Sequence, residues 1–290
     1  MKENIYKNEK LSKYNWFNLG GPAKIFFKPK NEPELIKFLN QDLARNKKIH
    51  ILGAGSNTLF RDTGFDGIII KLGKDFSYTK KLNDNKIEVG AATLDKKVSE
   101  FANSNSLSGF EFLSCIPGSI GGAIRMNSGC YGYDISQIFF SLKAINFQGE
   151  TKIFEKKDLN FFYRGCNLDE KLIILSAVFS GKPADIKEIE KKKIDLVNKK
   201  KVSQPSRIKT CGSTFKNPKD NEAWKLIKSS DCSDMKVGGA RMSPQHCNFF
   251  LNDGNATSLD IENLIKDVKD KVLKKTGINL ELEIKIIGEE

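Results

Sequence analysis

Two stretches of the chain carry residue types that present bare main chain to a ligand. They are residues 50–60 (HILGAGSNTLF) and 115–132 (CIPGSIGGAIRMNSGCYG). Each sets Gly, Ser and Asn side by side just after an apolar run. Glycine adopts positive φ at little cost and lets a ligand approach the backbone N–H groups. A bound pyrophosphate suits such a pair best. Neither stretch fits the common nucleotide patterns. Gly53-Ala54-Gly55-Ser56-Asn57-Thr58 lacks a third glycine at the dinucleotide-fold spacing, and no Gly-Lys-Ser/Thr follows it. A dinucleotide bound here needs a different kind of cradle.

Four further segments stand out. Residues 161–166 (FFYRGC) set Arg164 between an aromatic wall and a glycine, and 211–218 (CGSTFKNP) expose Ser213 after a glycine. Residues 237–250 (VGGARMSPQHCNFF) are glycine-rich before a strand, and 280–288 (LELEIKIIG) alternate Glu with apolar residues. Singly, each also reads as plain structure: a Gly-Ser turn, an ion-paired Arg164, a solvent face of Glu281, Glu283 and Lys285, a packed His246. No nucleophile–base signature such as G-x-S-x-G is present. Arginine is scarce, with six residues in a lysine-rich chain. Arg61, Arg125, Arg164, Arg207 and Arg241 fall in or beside the unusual segments, and Arg45 lies in an ordinary helical stretch. Arginine in such places supplies a planar fork of donors.

These residues need a scaffold, and 290 residues can bury a core divided between two or three domains. A hydrophobic content of 39% with 10% aromatics describes a folded globular protein. No apolar run approaches the roughly 20 residues that span a bilayer. The first residues are polar, without the apolar core of a signal peptide, so a cytoplasmic protein is expected. Cys115, Cys130, Cys166, Cys211, Cys232 and Cys247 form no C-x-x-C pair, and only His50 and His246 could join them. Reduced thiols, and no metal, are the expectation. The net charge of +12 comes from lysines spread along the whole chain, including a dense run over 191–201. Solvated faces with some attraction for anionic small ligands explain it better than nucleic-acid binding.

Apolar spacing and breakers predict strands over 23–28, 48–52, 67–72 and 86–90, a hairpin over 141–154 turning at Gln148-Gly149, and a strand over 171–180. Helices are expected over 32–48, capped by Asn31, over 95–105, and from Pro183 to about Lys201 with a stripe of Ile186, Ile189, Ile194 and Val197. Pro205-Ser206 ends that segment. A second unit follows, with a helix from about Asn221, a strand over 247–251, a helix over 259–275 capped by Thr257 or Ser258 and ended by Gly277, and a last strand over 280–287. Strands and helices that mix without strict alternation indicate an α+β fold.

The order of the motifs adds what none carries alone. G-A-G-S-N, I-P-G-S-I-G-G-A with M-N-S-G-C-Y-G, Y-R, G-S-T-F-K-N-P, G-G-A-x-x-S-x-x-H-x-N-F and L-E-x-E-x-x-I-I-G follow one another over residues 15–288. This series resembles the UDP-N-acetylenolpyruvoylglucosamine reductases, the MurB family. The short path from 218 to 237 resembles the family's shorter form, which lacks a tyrosine-bearing substrate loop.

The resemblance implies an N-terminal FAD-binding domain of the PCMH/VAO type with two α+β subdomains (1–184), a linker helix (185–206) and a smaller α+β C-terminal substrate-binding domain (207–290). It implies a UDP-N-acetylmuramate dehydrogenase. FAD passes a hydride from the co-substrate NADPH to UDP-GlcNAc-enolpyruvate, giving UDP-N-acetylmuramate for peptidoglycan synthesis. The expected partners are these small molecules, with no nucleic acid and no membrane, and the chain is expected to be a monomer. By the same match, Gly53, Ala54, Gly55, Ser56, Asn57, Pro117, Gly118, Ser119, Gly121, Gly122 and Ala123 hold FAD. Arg164 polarises the substrate carboxylate, Ser213 donates a proton and Glu283 assists; the motif selects Glu283 over Glu281. Tyr163, Lys216 and Asn217 are expected substrate contacts. Gly165-Cys166 replace the polar residue and Ser that often follow the family's Tyr-Arg. Cys211 stands where a small residue is usual, and a thiol there is expected to be sensitive to oxidation. The competing reading is another FAD enzyme of this cradle type that oxidises a small alcohol or sugar.

Overall fold

The computed structural model describes residues 4–44, 47–205 and 208–289, so Arg45, Ser206 and Arg207 lie outside the described residues. The chain divides into two compact units. The first is Met1–Tyr6, Phe26–Ala54 and Ile68–Lys200; the second is Lys7–Ile25, Gly55–Gly67 and Lys201–Glu290. Against a division at 184 and 207, residues 7–25 and 55–67 thus group with the C-terminal residues. The cause is packing: Phe17, Leu19 and Leu59 share one core with Phe215, Phe250, Ile261 and Val268.

In the first unit, a five-stranded sheet runs Thr151–Glu155, Phe139–Ile145, Ile173–Ser180, Lys86–Gly90, Thr79–Lys81. The expected hairpin is its first pair, with Ser141 opposite Glu155 and Ile145 opposite Thr151. The turn closes as Gly149 N–H donates to the Asn146 carbonyl. Beneath the sheet, Val98 and Ala102 of the helix Asp95–Ser104 pack with Phe110, Phe112, Ile124 and Phe179. Ile49–Ile51 pairs in parallel with Ile68–Ile70 of the strand Phe65–Ile70.

Two expected helices differ from the sequence pattern. The helix after Asn31 spans Glu32–Leu39 only; Asn31 accepts from Glu34 N–H as expected, and Asn40 closes the other end. Leu43, within the expected span, is exposed, so its side chain gives a further turn no packing. The helix after Pro183 begins later, at Ile186–Ser203, because Lys182–Pro183 is paired with Leu107–Ser108. Its buried residues are Ile189 and Leu196, whereas Ile186 and Ile194 are exposed. Leu196 belongs to the first unit's core.

In the second unit, the helix Ser258–Thr276 starts at Thr257, whose side chain forms a capping box with Asp260, and ends at Gly277 with φ 72. A three-stranded sheet, Lys236–Val237, Ala240–Met242 and Phe250–Asn252, lies beside it. The strand expected over 247–251 starts only at Phe250, because Phe249 N–H turns back to the His246 carbonyl. The last strand shortens to Lys285–Ile287, paired in parallel with Thr58–Phe60. Residues 280–284 instead lie against 213–216, where Phe215 bridges Leu282.

Candidate active site

The second glycine stretch follows a 3-10 turn, Glu111–Cys115, and contains a short helix, Ile120–Arg125, that its many glycines hide from sequence patterning. Main-chain bonds fix it to the first unit: Ile120 N–H to Thr93 O at 3.0 Å, Gly121 N–H to Ala91 O at 2.9 Å, Asp95 N–H to Gly118 O at 3.1 Å. Its glycines differ in purpose. A Cβ on Gly118 would stand 2.5 Å from Asp95 Oδ2, and one on Gly121 would press on Ala91 at 3.3 Å. Gly122 is exposed and nothing lies within 4 Å of its Cβ position. Pro117 is also exposed, whereas Ala123 is buried. Ser119 Oγ is buried without a hydrogen-bond partner, and a Cβ on Gly53 would stand 2.8 Å from it.

Two residues that sequence reasoning passed over belong to this region. Lys71 Nζ donates to the Gly53 carbonyl, and burial, then the neighbouring Lys28, bring its ammonium down to about 8. Asp95 is fully buried with neither carboxylate oxygen paired, and burial raises its pKa well above the usual range. A charged residue at the end of an apolar strand (GIIIK) was the available signal for Lys71; Asp95 had none.

Arg164 occupies the tip between Phe161–Phe162 and Gly165–Cys166. Its φ of 58 is left-handed, an uncommon state for a non-glycine residue, and its guanidinium lies 4.9 Å from the Tyr163 ring centre. Tyr163 is half-exposed. Asn127 Nδ2 holds the approach to this tip through the Phe162 carbonyl at 3.2 Å. Gly165 lets the Phe162 ring lie over it, since a Cβ would stand 2.3 Å from that ring.

In the second unit, the segment 213–216 is held from both sides. Glu283 N–H donates to Thr214 O, Lys216 N–H to Glu281 O and Thr214 N–H to Asn248 O, each at 2.8 Å. Ser213 bridges Phe249, and the buried Asn248 amide clamps both the N–H and the carbonyl of Phe215, at 3.0 and 2.9 Å. Asn57 Nδ2 donates to the Glu283 carbonyl at 2.9 Å, and Lys285 N–H returns a bond to Asn57 O. Ser213, Lys216, Glu281, Glu283 and Asn57 therefore come together. Glu281 is 75% exposed and faces Lys216 at 3.5 Å, while Glu283 is half-buried. Asn217 Oδ1 accepts from Ala223 N–H, at the start of the helix Ala223–Ser229.

Gly55 belongs to this unit. It has φ 71, and a Cβ would collide with the Tyr14 carbonyl at 2.0 Å. Ser56 beside it is half-buried. Cys211 Sγ donates to Thr58 O at 3.2 Å, and burial pushes its thiol up to about 12. The expected sensitivity of Cys211 to oxidation conflicts with this, because a buried neutral thiol is a poor nucleophile. His246 packs against Phe249, and its Nδ1 accepts from Asn248 N–H at 3.3 Å.

Comparison with known proteins decides the family. Residues 204–287 match the C-terminal domain of UDP-N-acetylenolpyruvoylglucosamine reductase, and residues 23–154 match an FAD binding domain. A UDP-N-acetylenolpyruvoylglucosamine reductase from Pelagibacter ubique is 49% identical over 96% of this chain and 92% of that protein. The chain belongs to the UDP-N-acetylenolpyruvoylglucosamine reductase family. A member from Orientia tsutsugamushi is 44% identical over 98% of this chain and 94% of its own length. The crystal structure of the Thermus caldophilus reductase, MurB, superposes with a TM-score of 0.84 at 28% identity, covering 98% of each chain. The MurB fold is thus shared along the chain: α+β, with an FAD-binding domain followed by a smaller C-terminal domain. The match over 204–287 favours this family over an oxidase of small alcohols or sugars.

The residues present fit FAD. In the first unit, an exposed, unobstructed Gly122 and the half-buried Gly53, Ala54, Gly118 and Gly121 leave main chain open to a ligand. The Lys71 ammonium, with no carboxylate partner among the described residues, suits the charge of a diphosphate.

Proposed function

We propose that Arg164, Ser213 and Glu283 carry the reaction of this family, the reduction of UDP-GlcNAc-enolpyruvate to UDP-N-acetylmuramate in peptidoglycan synthesis. FAD, when bound, supplies the transfer of a hydride from NADPH to the substrate's methylene carbon. Addition of the hydride builds negative charge on the substrate carboxylate. The Arg164 fork binds that carboxylate through two parallel N–H donors as the charge grows. Ser213 Oγ–H then delivers a proton to the neighbouring carbon. A serine hydroxyl is a weak acid, so this step needs a strongly basic acceptor and a polar network around Oγ. Glu283, on the segment bonded to Thr214, provides that network.

The observation that supports this reading best is the bond from Glu283 N–H to Thr214 O, which holds Glu283 opposite Thr214, the residue after Ser213. Lys216 and Asn217, on the same segment, and Tyr163, beside Arg164, serve substrate binding. The glycines of 53–55, with Ser56 and Asn57, and residues 117–119 and 121–123 serve FAD. We assign cofactor binding to residues 1–184, including the segments 7–25 and 55–67 that pack with the C-terminal core, a joining helix to 185–206 and substrate binding to 207–290. The enzyme acts as a monomer in the cytoplasm, without nucleic acid or membrane as partner. No helix among the described residues is long and apolar enough to cross a membrane.

Two half-reactions test the assignment. With Ser213→Ala, NADPH still bleaches the flavin absorbance at the wild-type rate, and its return on adding UDP-GlcNAc-enolpyruvate slows about 10²-fold or more, the range of general-acid catalysis. Wild-type reoxidation in this variant removes Ser213 as the acid. A wild-type protein without flavin, or one whose NADPH oxidation ignores the substrate, overturns the whole reading.

A further inference from the structure

Six thiols are present, all unbridged. Burial raises four of them: Cys166, Cys211, Cys232 and Cys247. The remaining two face each other in the first unit. Cys115 ends the 3-10 turn Glu111–Cys115, and Cys130 ends the short strand Gly129–Cys130, which packs against that turn. Cys130 Sγ also donates to the Phe112 carbonyl at 3.7 Å, which holds it over that turn. The Lys200 ammonium donates to the Cys115 carbonyl at 2.7 Å. The Ser114 hydroxyl lies 3.9 Å from Cys115 Sγ.

We propose that Cys115 and Cys130 form an oxidation site for hydroperoxides, closing to a disulfide across the base of the 117–123 segment. The neighbouring Cys130 thiol, the Ser114 hydroxyl and the Lys200 charge favour the thiolate of Cys115, whose pKa falls to about 7, while the second proton of the pair is held more tightly. The Cys115 thiolate attacks one oxygen of hydrogen peroxide. An S–O bond forms, the O–O bond breaks and the departing hydroxide takes a proton to become water. Cys130 then loses its proton and attacks the Cys115 sulfur, forming the S–S bond and expelling a second water. Two thiols give up two electrons, and one peroxide becomes two waters. Cys115 is 4% exposed, which admits a small oxidant and excludes a bulky disulfide such as glutathione's.

The test uses the full-length, flavin-loaded protein. It is treated with a small excess of hydrogen peroxide, then blocked with N-ethylmaleimide and digested with trypsin. Cleavage after Arg125 separates peptide 98–125, with Cys115, from peptide 126–143, with Cys130. The expected product is these two peptides joined, two hydrogens below their summed mass and released by reductant, with four blocked thiols elsewhere. In Cys130→Ser the link disappears and Cys115 gains oxygen. Circular dichroism followed through the treatment reports the fold. Six blocked thiols after peroxide, a bridge to any other cysteine, or a link that forms only after the fold is lost each overturns the proposal.

Discussion

At the scale of single residues, the two glutamates near the C-terminus make the sharpest contrast. Glu281 is largely exposed and its ion pair with Lys216 is solvent-screened, a contact of roughly 0–1 kcal/mol. Glu281→Gln therefore keeps kcat/KM within about twofold. Glu283→Gln lowers kcat about 10²-fold with little change in flavin content, because it weakens the network around Ser213. Steady-state NADPH oxidation on the two variants separates them; equal losses would remove the distinction. Arg164→Lys keeps the charge and loses the fork, and lowers kcat/KM by about 10²-fold. Sequence reading was uneven at this scale. The motif order selected Glu283, which is half-buried where Glu281 is exposed. The expectation that Cys211 is sensitive to oxidation fails, because sequence does not report that its sulfur is enclosed against Gly55 and Thr58. Asp95 passed unnoticed, since a lone acid at the start of a helix reads as an ordinary dipole partner.

At the scale of elements, the glycine stretches divide into positions that fold the chain and positions that leave room. Gly55 has φ 71 and a backbone oxygen 2.0 Å from where a Cβ would stand. Gly55→Ala costs stability on the order of 3 kcal/mol or more, read as a loss of soluble protein or a lowered unfolding midpoint. Gly122 lies inside a helix with open space at its Cβ position. Gly122→Ala keeps or raises the unfolding midpoint of the flavin-free protein, by up to about 1 kcal/mol of helix propensity. It also weakens FAD binding, measured by flavin fluorescence on dilution. Unchanged flavin affinity would show that the open face serves something else. Asp95 gives the pH dependence of this region. Its folded-state pKa is raised, so above pH 3.8 the folded state retains a proton that the unfolded chain has lost. Stability therefore falls as pH rises through that window. Asp95→Asn removes the dependence: its unfolding midpoint exceeds the wild type's at pH 7, and the gain shrinks below pH 4. Regular elements were legible wherever an apolar face met a breaker. Lys86–Gly90 and the capped helix Ser258–Thr276 are examples. The helix Ile120–Arg125 was not, because three backbone bonds to residues 91–95, rather than propensity, hold the segment.

At the scale of the whole molecule, the division of the chain was the least legible feature. Sequence order suggests an N-terminal block and a C-terminal block, yet Phe17, Leu19 and Leu59 belong to the core built around the C-terminal helix Ser258–Thr276. Such long-range packing leaves no local pattern. Net charge, by contrast, is fully legible, and its consequence is measurable. The chain carries +12, mostly as lysine, and both expected small molecules are polyanions. The field of such a surface raises the encounter rate for anions and is screened over about 10 Å at 0.1 M salt. The value of kcat/KM for NADPH and for UDP-GlcNAc-enolpyruvate should thus fall several-fold between roughly 50 and 300 mM sodium chloride, mainly through KM. A matched series in which kcat alone changes would instead locate the salt effect in the chemical step. Light scattering on the same samples gives the second half of the test. A monomer has a mass of 32.6 kDa at both salt concentrations, so the change cannot come from dissociation of an assembly. A mass that shifts with salt would assign the effect to association and overturn the steering argument.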